Sequence, residues 1–255
     1  MMNPGQPSGS SPGSHPSITG LTNRQWRTEV VFAVVSLLLV LMSALGILLA
    51  LGFKAAGVAE GPDATFYSLL GGLVSLQIPA LVLAHVFLRL HDRNWVDGFG
   101  LRFNRRAFAW GLAVGVGSVL VCYPIERGLV EILRAMGRTP EPQKSVQFLA
   151  TAPAWQQAII GFAALLPAAV SEESLFRGIL YSAARDTGRR GWAIAGTAVL
   201  FGLAHAHGLA FVPLTLFGAV LAWTYERTGN LACCWIAHAT FNSIGFTAAV
   251  SGWGR

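Results

Sequence analysis

The sequence predicts an all-α fold: a polytopic bundle of about seven transmembrane helices around a polar cavity sunk within the membrane. Three observations predict it. The chain is 53% hydrophobic and only 12% charged, with a mean hydropathy of +0.54, where a soluble domain carries about 25% charged residues. Apolar runs near the roughly 20 residues that cross a bilayer recur along it. Finally, Val170-Ser-Glu-Glu-Ser-Leu-Phe-Arg-Gly-Ile179 sets two adjacent carboxylates and an arginine inside an apolar run from Ile159 to Tyr181. Charge at such depth costs roughly 2.5–3.5 kcal/mol per residue on insertion scales. A chain that keeps these groups must pair them or turn them toward a polar cavity.

The elements follow in order. Residues 1–25 begin with a stretch rich in Ser, Gly and Pro, which lacks the apolar content to order itself and predicts a disordered cytoplasmic tail. No signal peptide is expected, because the first apolar run follows a long polar tail and exceeds an h-region. Val30–Phe53 is the first span and Phe66–Leu88 the second, with Pro79 predicting a kink. Arg89, Arg93, Arg102, Arg105 and Arg106 crowd the next loop. Ala107–Ile125 is the third span, extending as an amphipathic helix toward Leu133. Trp155 to about Ala184 is the fourth helix and holds the acidic pair; Trp192–Ala206, Phe211–Tyr225 and Leu231–Val250 complete the seven. The short final connections make these last helices neighbours. Tyr225-Glu-Arg-Thr-Gly-Asn230 reads as a helix end, broken by Gly229, with Asn230 capping the next helix. We read one membrane domain: N-terminal helices over residues 26–140 and a core over residues 150–250. Arginine asymmetry puts the N-terminus inside, although Arg134, Arg138 and Lys144 fit that orientation poorly.

The net charge of +6 comes mostly from arginines between apolar runs, as loops facing anionic lipid require. No basic patch is interleaved with aromatics, so nucleic acid is not an expected partner. Cys122, Cys233 and Cys234 lie in apolar runs without CxxC or Cys/His spacing, and read as small buried hydrophobes.

Depth brings the polar residues together. If Arg185 and Gly191 mark one boundary, a rise of 1.5 Å per residue puts Glu172 about 20 Å along its helix and His205 about 21 Å along the next. From Leu231, His238 lies about 10 Å in and Asn242 about 16 Å. Four polar side chains on three neighbouring helices thus reach similar levels. Glu173 and Arg177 stand at i, i+4 with the acid first, the favourable order for an ion pair. His238 and Asn242 share a face by the same spacing. Glu172 points about 100° away from Glu173, which leaves it the free carboxylate. His85 reads as a satisfied core histidine and His207 as a loop residue.

Two chemistries suit this set. In one, Glu172 and His205 activate a water as general base while His238 and Asn242 donate to the oxyanion at a scissile carbonyl. In the other, Glu172, His205 and His238 ligate a divalent metal, zinc by preference, that supplies the hydroxide.

At these residues the chain resembles a known family. Glu172-Glu173-x-x-Phe176-Arg177-Gly178 is similar to the first motif of the CAAX-protease and bacteriocin-processing (ABI) family of intramembrane proteases. Phe201-x-x-x-His205 resembles its second motif, and His238-x-x-x-Asn242, after Tyr225-x-x-Thr228-Gly229-Asn230-Leu231, its third. All three occur in order on consecutive predicted helices. The resemblance implies an intramembrane endopeptidase acting on a membrane-associated peptide or protein at the inner leaflet. It implies water activation by Glu172 and His205, an oxyanion hole of His238 and Asn242, and support from Glu173 and Arg177; zinc remains the alternative to a cofactor-free site. The location implied is an integral protein of the plasma membrane. No His-Glu-x-x-His, Gly-x-Gly-Asp or Gly-x-Ser-Gly marks another intramembrane protease class. The competing functions are a non-catalytic peptide-binding immunity or scaffold protein, and a proton-coupled transporter, against which the lack of a repeated half argues.

Overall fold

The structure, a computed structural model, describes residues 26–252; the expected N-terminal tail lies outside them. The chain folds as α-helices α1 (Thr28–Ala55), α2 (Ala64–Leu90), α3 (Trp95–Phe99), α4 (Arg105–Ala135), α5 (Lys144–Leu149), α6 (Ala154–Leu165) and α7 (Pro167–Glu173). A π-helical segment (Ser174–Tyr181) follows, then α8 (Ser182–Arg185), α9 (Arg190–Ala204), α10 (Gly208–Thr228) and α11 (Leu231–Ser251). The described residues contain no strand, so the expected all-helical class holds.

The count of seven spans is not confirmed. Among the described residues, five stretches are long and apolar enough to cross a membrane: α1, α2, α4, the composite Ala154–Arg185, and α10. Helix α9 has 15 residues, about 22 Å of rise, because it ends just before His205. Helix α11 has the length, at 21 residues, but His238, Asn242 and its hydroxyl residues lower its apolarity. The outer helices look into lipid: on α1, Phe32 is 70% exposed and Leu48 65%.

One end of the bundle gathers the arginines. Arg27 at the start of α1 donates to the Leu90 carbonyl at the end of α2 (3.1 Å). The loop into α4 is clasped to the α10–α11 turn, where the Asn230 amide donates to the Arg102 carbonyl (2.7 Å) and its oxygen accepts from the Arg102 N–H (3.1 Å). At that same end Arg190 of α9 lies 3.3 Å from Glu226 of α10, which also accepts from the Tyr181 hydroxyl. Asn104 and Asn230 cap α4 and α11 as their residue type favours.

Close packing of α4 on α11 sets the position of α11. Gly111 and Gly115 form a small-xxx-small stripe. A Cβ at Gly115 would stand 2.6 Å from Thr240 Cβ and 2.7 Å from the Ala237 carbonyl oxygen. Only a glycine there lets α11 approach with His238 between those two contacts.

Candidate active site

The helix predicted to run unbroken from Trp155 to Ala184 is interrupted twice. Pro167 begins α7, and Leu166 sits between α6 and α7 with φ −97° and ψ −59°. Proline has no N–H, so the Ala163 carbonyl loses its helical partner. Gln77 of α2 donates to it instead, at 3.1 Å. The next carbonyl, Ala164, accepts from the Asn242 amide of α11 at 2.8 Å. Two side chains from other helices thus close the break that carries α7 to the acidic pair. Directly after Glu173 the backbone widens into the π-helical segment, a distortion common near functional groups.

Glu173 and Arg177 form the expected pair. Both are almost fully buried, and Nη1 donates to Oε1 at 2.9 Å. Nη2 donates to the Gly218 carbonyl at 2.9 Å, and the guanidinium lies 4.6 Å from the Phe201 ring centroid. Glu173 does more than support the arginine. The same Oε1 accepts from His238 Nδ1 at 2.8 Å, so one carboxylate joins Arg177 to an imidazole of α11.

Glu172 points elsewhere, as its 100° offset requires. Its Oε2 is buried and has no hydrogen-bond partner. It lies 3.8 Å from His205 Nε2 and 3.9 Å from His238 Nε2. These gaps are too long for direct hydrogen bonds and suit one water held between the groups. The imidazoles are oriented from behind. His205 Nδ1 lies 2.8 Å from the Phe201 carbonyl, which can only accept, so Nδ1 carries the hydrogen and Nε2 faces the carboxylate. His238 is fixed likewise by Glu173, with Phe201 and Phe217 packed against its ring at 5.8 and 5.5 Å between centroids. His205, at the end of α9, is the more open of the two, with its side chain 31% exposed against 3% for His238.

Glu172, His205 and His238 therefore meet at one point. Asn242 follows one turn after His238 on α11, with one amide hydrogen on Ala164; an amide carries a second. Gln77 and the Gly218 and Phe201 carbonyls complete the frame. Sequence reading missed Gln77, although Pro167 within the fourth apolar run signals a carbonyl in need of a donor.

A zinc ion about 2.1 Å from tetrahedral ligands holds them about 3.4 Å apart. The Glu172–imidazole separations of 3.8 and 3.9 Å are wider, and among the described residues no group of three or more His, Cys, Asp or Glu is arranged to hold a metal ion. As placed, the two separations lie between this spacing and the roughly 4.4 Å between two groups each hydrogen-bonded at about 2.8 Å to one water.

Residues 154–244 match a family model described as type II CAAX prenyl endopeptidase Rce1-like. No curated protein and no solved structure matches the chain. The matched stretch holds Glu172, Glu173, Arg177, His205, His238 and Asn242, and agrees with the resemblance carried by the three motifs. Residues 154–244, with the entire polar cluster, are thus similar to the Rce1-like CAAX prenyl endopeptidases, within a membrane-spanning helical protein.

Proposed function

We propose that this chain is an intramembrane endopeptidase whose attacking water lies between Glu172, His205 and His238. The observation that carries the reading is the buried, unpartnered Glu172 Oε2, nearly equidistant from two oriented imidazoles. Water supplies two hydrogens, and Glu172 Oε2 and His205 Nε2 accept them. As the water oxygen bonds to the scissile carbonyl carbon, Glu172 takes its proton. The carbonyl π pair moves onto oxygen, where His238 as imidazolium and the second N–H of Asn242 donate to it. Glu173 at His238 Nδ1 balances that imidazolium, and Arg177 holds Glu173 in place. The C–N bond then breaks as Glu172 returns the proton to the leaving nitrogen.

The substrate class follows from the family: a peptide anchored at the membrane, with a prenylated C-terminal peptide as the first to test. The arginine-rich end faces the cytoplasm by charge asymmetry, which puts the N-terminus inside, in the plasma membrane. The assay is cleavage of a farnesylated fluorogenic peptide by the full chain in detergent. Glu172→Gln lowers turnover about 10²–10⁴-fold, the range of a lost general base; unchanged turnover refutes the assignment.

One observation favours a second reading. Both imidazoles direct Nδ1 at an acceptor and Nε2 at Glu172, the orientation typical of metal-ligating histidines. If the donors close inward by about half an ångström toward zinc spacing, Glu172, His205 and His238 would hold the ion, which would supply a hydroxide at neutral pH. Metal content of the purified, active protein separates the two readings.

A further inference from the structure

Away from this site, a cavity of about 740 Å³ opens at the arginine-rich end, between the start of α4 and the α10–α11 turn. Its volume lies in the range of small-molecule pockets, roughly 300–1,000 Å³. Arg102, Arg106 and Arg227 line it together with Trp110, Trp223 and Thr228. All three arginines are exposed. The ion pairs found among the described residues use Arg134, Arg177, Arg185 and Arg190, so none of the cavity's arginines has an acidic partner there. Glu226, next to Arg227 in sequence, is engaged by Tyr181, Arg185 and Arg190 instead.

The cavity is braced. Asn230 bonds Arg102 through both main-chain groups, and the Tyr225 hydroxyl donates to the Phe99 carbonyl at 2.9 Å. Arg227 lies over the Trp223 ring at 5.3 Å. The starts of α4 and α11 meet there, and their partial positive charge adds to that of the guanidinium groups. Exposed tryptophans beside arginines, at the ends of membrane-crossing helices, mark headgroup depth.

We propose that this cavity binds the anionic phosphate headgroup of a phospholipid. The guanidinium groups take the phosphate oxygens in forked hydrogen bonds, and the two indoles lie along the glycerol and the first acyl carbons. The site is separate from the peptidase reading and stands without it.

Native mass spectrometry of the full chain in neutral detergent, titrated with phosphatidylglycerol or phosphatidylcholine, tests the site. The parent protein retains one phosphatidylglycerol saturably and does not retain phosphatidylcholine in this way. The triple variant R102Q/R106Q/R227Q weakens that binding about fivefold per arginine, about a hundredfold in all. The control R89Q/R93Q/R105Q removes the same charge from the same end outside the cavity and leaves binding unchanged. If the triple cavity variant does not fold, R106Q and R227Q singly, each expected to lose about fivefold, give the answer. Equal retention of the two lipids overturns the proposal, as does equal loss in the cavity and control variants, or undiminished binding in folded cavity variants. Displacement of phosphatidylglycerol by inorganic phosphate at equal concentration would identify free phosphate as the ligand and overturn the lipid assignment.

Discussion

Replacing Glu173 with glutamine changes one atom and removes one charge at the most enclosed polar position of the site. Its Oε1 accepts from Arg177 at 2.9 Å and from His238 at 2.8 Å, and the side chain is 0% exposed. Leaving Arg177 buried without its counter-charge costs about 3–5 kcal/mol. At about 2–4 °C per kcal/mol for a chain of this size, Glu173→Gln lowers the melting temperature by about 6–20 °C. Removing both partners of a buried pair is often nearly neutral, so Glu173→Gln/Arg177→Met recovers most of that loss. Activity does not recover with it, because His238 has lost the carboxylate at Nδ1 in both variants. Thermal melts in detergent and peptide cleavage, run on the two single variants and the double variant, give the full cycle. A Glu173→Gln protein as stable as the parent, or a double variant as unstable as the sum of the singles, would refute the assigned coupling.

Further outcomes follow from the same geometry. Gln77→Leu orphans the Ala163 carbonyl and destabilises the protein by about 1–3 kcal/mol, measured as a lower melting temperature, and it slows turnover by shifting α7. Gly115→Leu drives a side chain into Thr240 and the Ala237 carbonyl, so folded yield falls and any surviving protein shows no cleavage. Adding His205→Ala to Glu172→Gln costs little further turnover, since both hold one water; multiplicative losses in a kinetic cycle would count against a shared water. Turnover persists after dialysis against a chelator, with less than stoichiometric zinc by elemental analysis; loss on chelation and recovery with zinc would select the metal reading instead.

Much of the site was legible because helical spacing is a strict rule. The i, i+4 relation gave the Glu173–Arg177 pair, and the offset between adjacent residues freed Glu172 for His205 and His238. Rise per residue brought three helices to one level without any contact being known. What escaped was tertiary. Gln77 lies 86 residues from the carbonyl it serves, and periodicity carries no information over that distance. Asn242 was read as a donor to substrate alone, while its first hydrogen bond holds the α6–α7 break. The second role of Glu173, toward His238, depends on the approach of α11 permitted by Gly115. The count of seven spans is not confirmed because α9, though apolar, stops short at His205.

The bond from Gln77 to Ala163 joins a helix outside the matched segment to the backbone just ahead of the acidic pair. Residues 154–244 are therefore not a portable unit. A chimera that grafts them onto other amino-terminal helices has to bring its own amide at that height, or the strand of peptide leading to Glu172 sags into the gap. Diversity among chains that share this core should accordingly be bounded on α2 by one hydrogen, however freely the lipid-facing surface around it drifts.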